Sequence, residues 1–121
     1  MTGRPTVLIV EDEALIRDVV AMEFADAGYE VLEAEDCDEA FAHLDADTPI
    51  DLLFTDIRLP GDLDGWDIAR RARELRPALP VFYATGYSAD APRLVPGGQF
   101  FRKPYRPLAI IDAARALGIN P

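Results

Sequence analysis

Short apolar runs alternate with stretches of helical spacing along the whole chain, and this alternation restricts the fold more than any other feature. "TVLIV", "YEVLEA", "DLLFT", "LPVFYAT" and "GGQFFRK" read as five strands. A helix from Glu13 to about Ala27 is marked by Leu15, Val19 and Met22 at helical spacing, with Gly28 as the stop. Asp36 can cap a second helix holding Ala40, Phe41 and Leu44. Ile68, Ala69, Ala72 and Leu75 mark a third helix from about Asp64 to Arg76, ended by Pro77. Leu108, Ile111, Ala114 and Leu117 line a last helix that stops at Gly118. Between the fourth and fifth strands, "YSADAPRLVP" carries Pro92 and Pro96, so a further helix there is shortened to a turn or two. Strands separated by helical crossovers pair in parallel, because only antiparallel neighbours can be joined by tight hairpins. The expected architecture is a three-layer α/β sandwich.

At 121 residues, half of them apolar, the chain fits one domain with a core large enough to do without disulfides or a structural metal. The expectation is a single domain over residues 1–121 with no output domain after Pro121. Any signal would then leave by protein contact or by onward transfer. No apolar run is long enough for a membrane span, and "MTGRPTVLIVEDE" has no signal-peptide pattern, so a cytoplasmic protein is expected. Cys37 is the lone cysteine and reads as a small helix residue. A formal net charge of −10 argues against a nucleic-acid partner, since phosphate backbones demand an excess of Lys and Arg. It permits a bound cation.

In an open parallel sheet, ligands bind beyond the carboxyl ends of the strands. Glu11 and Asp12 end the first strand here, Asp56 the third, Thr85 the fourth and Lys103 the fifth. Singly, each has an ordinary explanation as a helix cap, a turn residue or a solvated charge. Together they set three carboxylates, a hydroxyl and an ammonium at one sheet edge. Neighbouring carboxylates repel, so they shift their pKa values or take a hard cation, and magnesium prefers such oxygen ligands. A carboxylate can attack phosphorus to give an aspartyl phosphate. Lys103 and the Thr85 hydroxyl are the groups to hold the phosphoryl oxygens.

The acidic pair in "VLIVEDE", the acid of "LLFTDIRLP" followed by "DG", the threonine of "FYATGY" and the lysine of "FRKPY" together resemble the receiver domain of two-component response regulators. The resemblance implies a flavodoxin-like five-stranded sheet in the order 2-1-3-4-5. It implies Asp56 as phosphoacceptor, with magnesium held by Asp12, Asp56 and the Arg58 backbone carbonyl, and by Glu11 through a water. Lys103 and Thr85 would bind the phosphoryl group, which a histidine kinase or histidine phosphotransfer protein would supply. Phe100 would be the switch aromatic, and Tyr87, Phe100 and Tyr105 the output face toward a downstream protein. "FYATGY" with "KPY" is also similar to the stand-alone receivers called FAT GUY regulators, associated with alphaproteobacterial stress signalling. Glu11 stands where the family more often has Asp, Phe100 where it often has Tyr, and "PGDLDG" is one residue longer than the usual loop.

Two other readings compete. Haloacid-dehalogenase-like phosphatases also combine Asp, Thr, Lys and an acidic pair, but their nucleophile sits in D-x-D, and here the second acid is replaced by Arg58. No acid–base residue stands ready for turnover, so at most slow self-phosphorylation and self-dephosphorylation is expected. A pseudo-receiver that binds partners without phosphorylation would not need the complete set of five site residues.

Overall fold

Five parallel strands form one sheet in the order β2-β1-β3-β4-β5. The computed structural model describes residues 4–86 and 95–121. Along the chain these are β1 (Thr6–Val10), α1 (Ala14–Asp26), β2 (Glu30–Ala34), α2 (Cys37–Asp45), β3 (Leu52–Asp56), α3 (Gly65–Leu75), β4 (Val81–Thr85), β5 (Gln99–Arg102) and α4 (Pro107–Ala116). The expected sandwich and strand order are both present. The register brings Val7 opposite Val31 and Leu52, Leu53 opposite Val81, and Tyr83 opposite Phe100. The shortened helix expected in "YSADAPRLVP" falls largely on residues outside those described.

The period-two alternation of strand side chains divides the core in two. Leu8, Val10, Leu53, Val81 and Tyr83 point to the face covered by α2 and α3, where Ala40, Leu44, Ile68 and Ala72 meet them. Val7, Ile9, Leu52, Phe54 and Phe82 point to the other face, covered by Val20 and Phe24 of α1 and Ile110, Ile111 and Ala114 of α4. Every residue of β3 and β4 is buried, as expected of strands packed on both faces. Each large side chain fully enclosed in this way, Phe24 for instance, contributes roughly 2–3 kcal/mol of hydrophobic stabilisation.

The stripe that marks α1 in the sequence is not the one it buries. Leu15, Val19 and Met22 are 83%, 49% and 55% exposed, whereas Val20, Ala21 and Phe24 face the sheet. The helix is apolar around most of its circumference, so more than one stripe satisfies the spacing. The aromatic ring of Phe24, packed edge-on against Tyr29, takes the buried side. On α4 the expected stripe is half right: Ile111 and Ala114 are buried, with Ile110 beside them, while Leu108 and Leu117 at the two ends are exposed.

Local chemistry sets the helix ends. Asp36 caps α2 by accepting from Glu39 N at 2.9 Å. Asp64 opens α3 with a reciprocal capping box: its Oδ1 accepts from Trp66 N and Asp67 N, and Asp67 Oδ2 accepts from Asp64 N. Such a cap stabilises by about 1 kcal/mol. Gly28 ends α1 in the left-handed region, φ +102°, which a side chain would disfavour.

Candidate functional site

Asp56 is the last residue of β3 and is only 7% exposed. Its two carboxylate oxygens have different partners. Oδ1 accepts from the Ile57 amide at 3.0 Å, and Oδ2 accepts from Lys103 Nζ at 2.9 Å. The Asp56 backbone is held as tightly, its carbonyl accepting from the Thr55 hydroxyl at 2.8 Å. Gly65 closes over this bend. Its amide donates to Ile57 O at 2.8 Å, and a Cβ at position 65 would meet the Asp56 carbonyl and lie 2.8 Å from Ile57 Cα. The "DG" of the sequence thus marks a close approach of α3 to the acid-bearing loop.

Glu11 follows β1, its amide donating to Ala34 O at 3.0 Å. Its carboxylate is buried and lies 3.4 Å from Lys103 Nζ through either oxygen. Glu11, Asp12 and Asp56 each offer a carboxylate oxygen within 4.8 Å of the others. Burial pushes Glu11 up to about 8, and the hydrogen bond and charge of Asp56 push the same way against the opposing pull of Lys103. Burial works against the Lys103 ammonium, but the hydrogen bond and charge of Asp56, then those of Glu11, hold its pKa above the ordinary lysine value. Three hard oxygen donors and one overcrowded proton fit a divalent cation such as magnesium.

The cluster opens into a cavity of about 350 Å³ lined by Asp12, Glu13, Asp56, Arg58, Thr85, Gly86 and Lys103. Residues separated by most of the chain meet there because β1, β3, β4 and β5 are adjacent and end at the same sheet edge. The link between the last two strand ends is direct, Lys103 N donating to Thr85 O at 2.7 Å. The Lys103–Pro104 peptide is cis. The expected site residues Glu11, Asp12, Asp56, Arg58, Thr85 and Lys103 are therefore brought together.

The three aromatics expected on one output face are not all comparable. Tyr87 lies outside the described residues. Phe100 and Tyr105 lie on opposite sides of the sheet. Phe100, 38% exposed, stacks on Trp66 of α3, with ring planes 11° apart and centroids at 6.4 Å. Tyr105 packs edge-on against Phe54 at 5.4 Å, within the α1/α4 layer. Burial, then the charges of Glu11 and Asp56, raise the pKa of its phenol.

Sequence reasoning passed over two neighbours of the site. Trp66 is buried beside Gly65 and touches both Tyr83 and Phe100. Its place directly after "DG" was the available signal. Arg17 donates to the Glu11 carbonyl at 2.8 Å, and its signal was a lone arginine one helical turn beyond "EDE".

The sequence matches the family model for the response regulator receiver domain over residues 7–115. Among curated proteins it is 34% identical to the phosphate regulon transcriptional regulatory protein PhoB of Pseudomonas aeruginosa, over 97% of this chain and 52% of that protein. It is 35% identical to the response regulator receiver protein CpdR of Brucella abortus, over 72% of this chain and 77% of that one. The chain spans about half the length of the first curated relatives it matches. Among solved structures, a response regulator receiver protein from Sinorhizobium medicae superimposes with a TM-score of 0.88 at 33% identity, covering 94% of both chains. The receiver domain of the hybrid histidine kinase CckA superimposes with a TM-score of 0.77 at 34% identity, over 92% of this chain and 96% of that one. With the sheet order, the acid-lined edge and these matches in agreement, the chain belongs to the response regulator receiver domain family of two-component systems.

Proposed function

We propose that this protein accepts a phosphoryl group on Asp56 from a phosphohistidine donor, a histidine kinase or a histidine phosphotransfer protein, and acts as a phosphorylation-dependent switch. The observation that carries this reading is the position of Asp56, with one carboxylate oxygen on Lys103 at 2.9 Å and the carboxylates of Glu11 and Asp12 beside it. One oxygen of Asp56 attacks phosphorus, a new O–P bond forms, the P–N bond to the donor imidazole breaks, and the imidazole leaves with the electron pair. Asp12, Asp56 and the Arg58 backbone carbonyl would hold magnesium, with Glu11 acting through a water. When bound, the ion offsets the negative charge gathered around the reacting phosphorus. Lys103 exchanges its bond to Asp56 Oδ2 for one to a phosphoryl oxygen, and the Thr85 hydroxyl takes another.

Arg58 stands two residues after the acceptor, where a phosphatase of the D-x-D type would carry its second acid. Slow loss of the phosphoryl group, rather than turnover of a substrate, is the behaviour this favours. The finer assignment to the FAT GUY regulators rests on "FYATGY" and "KPY". None of the described helices is long and apolar enough to cross a membrane, in keeping with our assignment to the cytoplasm.

A groove of about 520 Å³, lined by Leu15, Ile16, Val19, Val20, Pro104, Tyr105 and Pro107, reaches the site at Lys103, which lines both cavities. The exposed stripe of α1 forms one wall. A donor helix laid there would bring its histidine to the mouth of the pocket. Transfer from a phosphorylated histidine donor tests the reading: the wild type should gain one phosphoryl group and Asp56→Asn none. Leu15→Asp should slow that transfer while leaving phosphorylation by acetyl phosphate unchanged.

A further inference from the structure

The backbone of Glu11 is fixed on both sides, its amide by Ala34 O at 3.0 Å and its carbonyl by Arg17 Nη1 at 2.8 Å. The Arg17 guanidinium reaches onward to Glu33 of β2, Nε lying 3.4 Å from Oε1, and its side chain is only 16% exposed. One side chain from the first turns of α1 therefore ties the end of β1 to the neighbouring strand. That tie fixes the peptide joining Glu11 to Asp12, the two residues that present the first acids of the pocket.

We propose that Arg17 is a positioning residue for the cation site, acting through the Glu11 carbonyl to hold the Glu11–Asp12 peptide in the orientation that sends both carboxylates toward Asp56. This inference rests on the reading of Glu11, Asp12 and Asp56 as the magnesium site. A guanidinium near a cation site has two opposed effects. Its charge repels the incoming cation, so as a mere charge it weakens binding and its removal should tighten it. As an orienting hydrogen-bond donor it preserves the ligand geometry, and its removal should weaken binding. The sign of the change separates the two.

The test is a magnesium titration of the folded protein followed by backbone amide NMR, run on Arg17→Ala, Arg17→Met and Arg17→Lys. Methionine keeps the apolar stem against its neighbours without a donor, should the alanine variant fold poorly. Lysine keeps a donor and the charge. We expect affinity to fall about tenfold in the alanine and methionine variants and to recover in the lysine variant. Unchanged or tighter binding in Arg17→Met, with or without a lower melting temperature, would overturn the proposal. Asp12→Asn is the control: if it too binds magnesium like the wild type, the metal-site reading itself fails, whereas loss of binding there with none in Arg17→Met rejects Arg17 alone.

Discussion

Trp66 packs against both Tyr83 and Phe100, its ring centroid 4.8 Å from the first and 6.4 Å from the second, while its neighbour Gly65 donates to the carbonyl of Ile57, next to Asp56. The acceptor loop and the exposed aromatic of β5 thus both touch the same step at the start of α3, Gly65–Trp66. As the chain's single tryptophan, Trp66 should report what happens at Asp56. Addition of magnesium and acetyl phosphate is expected to change its fluorescence in the wild type and not in Asp56→Asn. An unchanged emission in a protein shown to be phosphorylated would mean that this path does not move.

Phe100→Ala should spare phosphorylation and weaken binding of the downstream partner. The ring is 38% exposed, so its removal forfeits part of a phenylalanine's burial, roughly 1–2 kcal/mol, and about 1 kcal/mol of aromatic contact, a loss the two-layer core should tolerate. The phosphorylation rate and partner affinity, measured side by side, check this. Equal loss of both would point to destabilisation instead.

The pH dependence of cation binding follows from Glu11. Its carboxyl is held up at about 8 by burial first and Asp56 second, against an ordinary value of 4.5. A raised carboxyl favours the folded protein in full below the ordinary range, and that advantage is lost as pH rises through about 8. A cation must displace the proton, so magnesium affinity should climb from roughly pH 6 to about pH 9 and then level. Calorimetry in two buffers of different ionisation enthalpy should show proton release near neutral pH. Affinity independent of pH, with no proton released, would remove Glu11 from the site.

Gly65→Ala is expected to destabilise by at least about 2 kcal/mol, because the added Cβ would press on the backbone of Asp56 and Ile57, which cannot yield as a flexible side chain would. Denaturant midpoints measure this. Wild-type stability in the variant would show that the close approach relaxes without cost.

Cys37 is buried, and burial followed by the charges of Asp67, Asp64, Asp36 and Asp38 pushes its thiol up to about 11. It should resist alkylation at mildly alkaline pH in the native protein and react at once when unfolded. The linked loss of stability begins above the ordinary thiol range, where the unfolded chain ionises and the folded one does not. Fast native-state labelling would contradict this environment.

The parallel strands and the acid-lined edge were legible in the sequence because the relevant signals are periodic or sit at strand ends, whereas the strand order followed from the family resemblance. Asp56 ends a wholly buried strand, and parallel pairing in the order β1-β3-β4-β5 brings that end to the same edge as Glu11 and Lys103. The facing of α1 was not legible in the same way, since Leu15, Val19 and Met22 fit the helical period as well as Val20 and Phe24 do. Arg17 was harder to find: a lone arginine one turn beyond "EDE" marks its place, but its hydrogen-bond partner is a backbone carbonyl, which carries no residue-type signature. The separation of Phe100 from Tyr105 depends on how the chain turns after β5, a property of geometry rather than of residue type.

Intact-protein mass spectrometry after incubation with acetyl phosphate and magnesium separates a phosphorylated switch from a passive binding module. One added phosphoryl group, labile to base, is expected in the wild type and none in Asp56→Asn. Lys103→Ala should retain some phosphorylation while the Trp66 response is lost, because the same ammonium that now rests on Asp56 Oδ2 would have to follow the new charge. An Asp56→Asn protein that gains the phosphoryl group at the wild-type rate would rule out Asp56 as the acceptor, and a module that binds partners without phosphorylation would be the better description.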